Sequence, residues 1–240
     1  MKESISAIIP TYNERESIGA IIDTITAQVY PLEEIIVVDD DSPDATWQVV
    51  QQLQGTNEKL KLIRRRNVKG LASALQEGVS HSQGNVVAWF DADFASLPST
   101  LSGLFALMGE NDIVVASRYC AGAKDAREEK VRVLASRIFN RVAQSVLKTR
   151  TKDLTSGYII AKKSIFNTLK LSGVYGEYCV KFLYEAEQKG LKVKEAPYVC
   201  LSRKEGKSKT SSSVFTFARL CLIYVASILK IKFTKYEKNT

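Results

Sequence analysis

Short β-branched and apolar runs alternate with apolar residues at helical spacing through the first half of the chain, which predicts βαβ units building a parallel sheet. Residues 4–9 read as the first strand. After Pro10-Thr11-Tyr12-Asn13, the apolar positions Ile18, Ile21, Ile22 and Ile25 recur at the helical period, so Glu14 or Glu16 opens a helix. Strands follow at 34–39, 60–64, 85–90 and 112–117. Helices are expected from the turn and cap Ser42-Pro43-Asp44 through Trp47, Val50 and Leu53, and again over 70–81. Carboxylates gather where the strands end: Asp39, Asp40 and Asp41 after the second, Asp91 and Asp93 after the fourth. Open α/β sheets bind ligands beyond the carboxyl ends of their strands, so the pattern already locates a candidate crevice.

Beyond Arg118 the alternation stops. Residues 127–148 read as a basic amphipathic helix, 157–161 as a short strand, 178–189 as a helix and 193–200 as a strand, and this half is expected to complete an acceptor side. Residues 202–213 form a loop dense in Lys, Ser and Gly, and 214–231 a last apolar helix. The expected organisation is a catalytic domain over 1–213 followed by an apolar and basic helix and tail over 214–240.

Composition narrows the partners more than the fold. With 240 residues and 45% hydrophobic content the chain can bury one sizeable core, and it carries no repeat or low-complexity tract. Its 34 Lys and Arg against 26 Asp and Glu give a formal charge of +8, which favours anionic partners such as nucleotides or lipid phosphates. Nucleic acid is not favoured, because no RNP, KH or helix-turn-helix signature is present. Cys120, Cys179, Cys200 and Cys221 lie far apart without a C-x-x-C pair, so reduced thiols are expected rather than zinc ligands or a disulfide framework. His81 ends a helix with no Cys or His beside it and reads as a cap or surface residue. Residues 1–9 show no leader pattern, which predicts a cytoplasmic location.

Three segments carry candidate chemistry. Asp91-Ala92-Asp93 puts two carboxylates on one side of an extended segment, where they can hold a hard divalent cation; alone, such a pair also describes a solvated turn. Val38-Asp39-Asp40-Asp41-Ser42 crowds three acids whose repulsion calls for a cation, a hydroxyl or a ring N–H, with Asp41 or Ser42 equally suited to capping a helix and Asp40 the better ligand candidate. In Pro10-Thr11-Tyr12-Asn13-Glu14 the aromatic can pack beside a base while Glu14 accepts hydrogen bonds from a nucleoside.

Taken together, P-T-Y-N-E, V-D-D-D-S-P-D-A-T, G-L-A-S-A, D-A-D, S-R-Y, D-L-T-S-G-Y and R-K-E-G-K-S-K, running in order from Pro10 to Lys209, resemble the family 2 inverting glycosyltransferases, and within them the dolichyl-phosphate mannose synthases and related polyprenyl-phosphate glycosyltransferases. The resemblance implies a GT-A-type α/β fold, Rossmann-like, with a mostly parallel sheet and flanking helices. It implies a donor pocket from Pro10, Tyr12, Glu14, Val38 and Asp40, with Ala92 between the metal aspartates Asp91 and Asp93. It further implies Mg2+ or Mn2+, diphosphate contacts from Arg118, Arg203 and Lys209, and a role near the sugar or acceptor for Asp153; Glu185 is divided between a family position and a solvated face. One departure is Ala95, where relatives often carry an amide. Arg supplies a planar fork for phosphate oxygens and Lys a compact charge, and a Ser/Gly/Lys loop ordering over phosphates would exclude water.

The implied reaction is attack by a polyprenyl-phosphate oxygen on the anomeric carbon with inversion, GDP-mannose and dolichyl phosphate being the favoured pair. UDP-glucose with a bacterial polyprenyl phosphate, a soluble saccharide acceptor, and a non-catalytic nucleotide-sugar-binding subunit of a membrane complex are the alternatives. The helix at 214–229 is interrupted by Arg219 and followed by Lys230, Lys232, Lys235 and Lys238, so it suits the membrane surface, directly or through a small membrane subunit, better than a span. Packing on the core is the competing reading. The expected location is therefore peripheral, on the cytoplasmic face of a membrane.

Overall fold

The computed structural model describes residues 3–28, 30–92, 100–173, 176–201 and 214–233, the side chains of the last segment from Ile223 onward. In chain order the strands are β1 (Ile5–Thr11), β2 (Leu32–Asp39), β3 (Leu60–Arg64), β4 (Val86–Trp89), β5 (Ile113–Ser117), β6 (Lys124–Asp125), β7 (Ile159–Lys162), β8 (Val193–Pro197) and β9 (Val199–Cys200). The helices are α1 (Ile18–Thr26), α2 (Thr46–Gln54), α3 (Leu71–His81), α4 (Leu101–Ala106), α5 (Lys130–Leu147), α6 (Tyr178–Gln188) and α7 (Val214–Phe233). Seven strands form one sheet in the order β3-β2-β1-β4-β7-β5-β8, while β6 and β9 pair apart from it.

The sheet is buried on both faces, which explains why its strands read as near-continuous apolar runs. Successive residues alternate between two cores: Ile8, Ile36, Val38, Val87 and Trp89 pack with α3 and α6 residues, whereas Ala7, Ile9, Ile35, Val37 and Ala88 pack with those of α1 and α4. Gly78 of α3 permits the close approach on the first face, since a Cβ there would collide with Ile8.

The expected βα alternation holds from β1 to β5, and the element bounds differ from the pattern by a few residues. Glu14 does not open α1; its carbonyl accepts the N–H groups of Ser17 and Ile18, and the helix starts at Ile18. The second half departs from a purely parallel sheet: β7 enters antiparallel between β4 and β5. The segment expected as one strand over 193–200 divides. Pro197 has no N–H to extend a ladder, and the chain leaves β5 to pair Val199 and Cys200 with Lys124 and Asp125. The short helix α4 was not anticipated, because its six residues carry too little periodicity.

The last helix is anchored. Tyr224 meets Phe139 of α5 edge to face at 5.0 Å, and Ile228 and Ile231 are buried in the core that holds α3 and α6. Among the described residues no helix is long and apolar enough to cross a membrane.

Candidate active site

β1 has β2 on one side and β4 on the other, so the chain winds outward to β3 and then returns across β1. This reversal is a topological switch point, and the loops after β1 and β4 flank the crevice it opens. Both carry residues singled out by sequence: Tyr12 and Glu14 after β1, Asp91 and Ala92 after β4.

The loops on the β1–β2 side are tied by acids. Buried Asp39 accepts hydrogen bonds from Thr11 Oγ1 (2.8 Å), Ser42 N (2.8 Å) and Ser42 Oγ (2.6 Å), and Asn13 N donates to Ser42 Oγ at 3.0 Å. Asn13 and Asp41 take positive φ, 56° and 53°, a conformation Asn and Asp tolerate better than most residues. Ser42 thus closes the Asp39 turn rather than capping α2. The cap of α2 is Ala45, in a left-handed conformation, and Asp44 just before it accepts from Thr46 N at 2.9 Å and Thr46 Oγ1 at 2.6 Å.

Asp40, the better ligand candidate of its cluster, already has partners inside the protein. Its Oδ1 accepts from Arg65 Nε at 2.7 Å and its Oδ2 from Gly70 N at 2.8 Å. Arg65, 5% exposed, also donates to Ser73 Oγ (2.9 Å) and the Gly70 carbonyl (3.0 Å). The four groups fix the loop before α3, and Gly70 can take its φ of 143° because it lacks a Cβ. Val38 is fully buried with its side chain against α3, so it belongs to the core beneath the crevice. Pro10 pairs with it in register one strand away.

Lys69, a residue the sequence pattern did not single out, stands beside Tyr12. Its Nζ donates to the Tyr12 hydroxyl at 2.9 Å and lies 4.4 Å from the ring centroid. That hydrogen bond, with the nearby Tyr12, Asp40 and Asp41 groups, raises the Lys69 pKa above its ordinary value. Beyond the end of β1 an aromatic ring is thus paired with a positive charge.

On the β4 side, the Ala92 carbonyl accepts Ser17 Oγ at 2.8 Å, which ties the D-A-D segment to the start of α1. Behind Asp91 lies Gly157, where an added Cβ would sit 3.2 Å from Asp91 Oδ2. Beneath it, Trp89 Nε1 donates to the Tyr178 hydroxyl at 3.0 Å. Burial pushes the Tyr178 hydroxyl and the Cys179 thiol far up, and the negative charge of Asp91 adds to both, so these two groups stay protonated. Asp93 and Ala95 lie outside the described residues, as do Arg203 and Lys209.

Arg118, expected to contact a diphosphate, is engaged within the protein. Its Nε donates to Asp153 Oδ2 at 2.8 Å, its Nη2 to Asp153 Oδ1 at 2.7 Å and to Thr155 Oγ1 at 2.7 Å, and its backbone N–H also meets Asp153, at 2.9 Å. Burial works against the charged guanidinium, but Asp153 more than offsets it and holds Arg118 ionised. Asp153 is 0% exposed, so its carboxylate faces Arg118 rather than solvent. Asn140 of α5, also missed by sequence, adds a second clamp: its Nδ2 donates to Thr155 Oγ1 at 2.9 Å and its Oδ1 accepts from Leu154 N at 2.7 Å. Ser156 Oγ donates to the Ala116 carbonyl at 2.6 Å. The D-L-T-S-G-Y segment is thereby a fixed wall, and its Gly157 lies against Asp91. Glu185 faces Lys181 one helical turn away at 3.8 Å. His81 is exposed at the end of α3 beside the Glu77 carbonyl, and Cys120, Cys179 and Cys200 are free thiols, the last two buried.

A doubly wound sheet with its carboxylates at the switch point is the layout of GT-A enzymes, and solved structures bear out the fold. Over 98% of this chain and 80% of the other, it superposes with a TM-score of 0.70 on glucosyl-3-phosphoglycerate synthase from Mycobacterium tuberculosis in complex with Mn2+, uridine diphosphate and phosphoglyceric acid, at 15% identity. The same enzyme with Mg2+ and uridine diphosphate gives 0.69 at 16% identity, covering 98% and 81%. The chain belongs to glycosyl transferase family 2, whose model matches residues 6–170. It is 33% identical over 221 residues to a dolichol-phosphate mannosyltransferase of Pyrococcus furiosus, covering 90% of this chain and 62% of that one. It is 30% identical over 214 residues to a polyprenol monophosphomannose synthase of Mycolicibacterium smegmatis, covering 86% and 80%. The chain thus spans less than two thirds of the Pyrococcus protein's length.

Proposed function

We propose that this protein transfers a hexosyl group, mannose from GDP-mannose being favoured, to dolichyl or another polyprenyl phosphate with inversion at the anomeric carbon. The observation that carries the reading is the placement of the Tyr12–Glu14 loop and Asp91 on adjacent strand ends at the switch point, in a chain similar over most of its length to two proteins named for polyprenol-linked mannose. In this reading Tyr12 lies beside the base, Lys69 holds its ring in place, and Glu14 and Pro10 line the nucleoside. Asp40 shapes the same pocket through Arg65 and Gly70 instead of standing free for the ligand.

Asp91 suits a hard divalent cation, Mg2+ or Mn2+: it is an oxygen donor, partly buried, and the bare Cα of Gly157 leaves its carboxylate room. Asp93 is the second ligand in this reading, with Ala92 the spacer that Ser17 fixes. The cation, when bound, neutralises charge on the departing diphosphate. Arg203 and Lys209 are assigned to that diphosphate from the late loop. Arg118 and Asp153 act through position: they hold the wall behind Asp91, so the site keeps its shape as charge moves. The acceptor phosphate has a second pKa near ~6 and is already largely anionic at neutral pH, so placement and charge stabilisation suffice without a strong base. The protein works at the cytoplasmic face of a membrane, where such an acceptor presents its phosphate.

A donor panel tests this: radiolabelled GDP-mannose, UDP-glucose and UDP-galactose, each with polyprenyl phosphate in mixed micelles and Mn2+, scored by label entering the organic phase. Mannosyl lipid as the main product supports the reading. Transfer only to a soluble sugar, or tight donor binding with no turnover, would discard it.

A further inference from the structure

The exposed apolar surface of this protein is concentrated. Of the ten large hydrophobics found exposed among the described residues, Val131, Leu134, Ile138 and Val142 lie on α5, and Val225, Leu229 and Phe233 on the neighbouring α7. Scattered single residues are normal on any surface, whereas a contiguous apolar stripe marks a surface that meets something.

On α5 the spacing is three, four and four residues, which places all four side chains within one face, about 16 Å long at 1.5 Å rise per residue. Val131 and Leu134 are 77% and 60% exposed, so they are not partly covered core residues. The opposite face is committed inward: Asn140, Ala143 and Leu147 are buried, and Asn140 clamps Thr155 and Leu154. The helix contains Lys130, Arg132, Arg137 and Arg141 and no acidic residue. Arg137 and Arg141 are exposed on the flank of the stripe.

We propose that the outer face of α5 rests on an anionic lipid surface, its four apolar side chains entering the headgroup boundary and its basic flank meeting lipid phosphates. Medium-sized apolar residues backed by Lys and Arg, on a helix firmly seated in a folded core, match interfacial binding in both shape and charge. A second copy fits less well, because it would bring two acid-free basic helices together. The inference adds to the proposed function a surface that the C-terminal tail alone does not supply: α7 commits Tyr224, Ile228 and Ile231 to the core, which limits what it can offer a bilayer. It rests on that reading only for its purpose. Through Asn140, the helix lying on the membrane is the same one that fixes the wall behind Asp91, so an acceptor in the bilayer would be presented to a site held at a set height.

Flotation of the full chain with phosphatidylcholine vesicles, with and without phosphatidylglycerol, tests the inference. The unaltered protein floats with anionic vesicles and little with neutral ones. The double variant Leu134→Gln/Ile138→Gln, with an unchanged circular dichroism spectrum and Tm, binds about tenfold less, since two exposed side chains lose their transfer to lipid. Arg137→Gln/Arg141→Gln loses the part of binding that salt abolishes in the unaltered protein. Undiminished flotation of the first variant overturns the proposal. So does a dimer in solution that this variant converts to monomer with vesicle binding untouched, or a stable complex with a helical membrane peptide that the variant alone disrupts. Product assays separate the two claims: flotation without lipid-linked product leaves the docking face standing and removes the acceptor, while lipid-linked product with flotation insensitive to both variants does the reverse.

Discussion

The two halves of this sheet hold their charged groups differently. In the first half, Asp39, Asp40 and Asp41 each find partners within about thirty residues, and buried Arg65 spreads its donors over Asp40, Ser73 and the Gly70 carbonyl, with Glu77 at 3.7 Å. In the second half, Arg118 commits its Nε and Nη2 to Asp153 and Thr155, both on one segment that reaches the back of Asp91. The first arrangement is redundant and the second is not. Loss of one acid should therefore be absorbed where the cation has other partners and should be severe where it has few.

Asp153→Ala is expected to show the largest effect. Removing one member of a buried ion pair leaves the other uncompensated, and about 3–5 kcal/mol of stability should be lost in urea unfolding. Asp40→Ala, the matched change in the first half, should cost less, about 1–3 kcal/mol, because Arg65 keeps its remaining hydrogen bonds. Arg118→Met/Asp153→Leu should recover much of the lost stability, since the charge is no longer stranded. Equal losses for Asp153→Ala and Asp40→Ala would erase the distinction between the halves.

Next in size come changes at the junction. Asp91→Asn keeps volume and removes one charge, and turnover should fall at least about 10²-fold, equivalent to about 2.7 kcal/mol, with Tm nearly unchanged. Gly157→Ala asks whether the wall of the second half shapes the site. Its Cβ would sit 3.2 Å from Asp91 Oδ2, so the carboxylate must shift by a few tenths of an ångström. A drop of about tenfold in kcat with a small change in donor KM is the expected result. Full activity in Gly157→Ala would mean that Asp91 has room to spare.

How much of this was legible in the sequence follows the same division. β1 to β5 were readable because strands buried on both faces leave uninterrupted β-branched runs, and because acids at strand ends advertise a crevice. β7 was readable as a strand but not as an antiparallel one: orientation depends on where α5 returns the chain, and no local pattern records that. Arg118 and Asp153 were singled out as ligand contacts, while their mutual engagement, 35 residues apart, is a tertiary fact. Asn140, Ser17 and Lys69 escaped notice because a lone polar residue on a helix or loop is indistinguishable from a solvated one until its partner is placed. For Lys69 a signal existed in its position next to Gly70 at the mouth of a helix. For Asn140, the one hint was an amide on the face of α5 that also carries Ala143 and Leu147.

Acid titration provides the smallest effect and probes both halves with one variable. Glu34 accepts from Ser6 Oγ at 2.7 Å, from Gln83 N at 2.5 Å, and pairs with Lys61 at 2.5 Å. Burial alone would raise its pKa, but these partners outweigh burial and hold it below the ordinary value. Glu187 is the counterpart in the second half: burial again opposes ionisation, and the Thr151 hydroxyl with the Arg150 and Thr151 N–H groups reverses the balance. For a carboxyl depressed in the folded state, ionisation stabilises the protein above the unfolded pKa, and that contribution disappears as pH falls through the lower, folded value. The loss should therefore set in below about pH 4.5 and deepen toward pH 3. Glu34→Gln and Glu187→Gln should each cost about 1 kcal/mol at pH 7 and each flatten the decline in acid. Because the two carboxylates share no partner, their effects should add in the double variant to within about 0.5 kcal/mol. A clear departure from additivity would mean that the halves sense each other's charge across the sheet, and the contrast between a first half whose buried cation has several partners and a second half whose cation has few would have to give way to one coupled network.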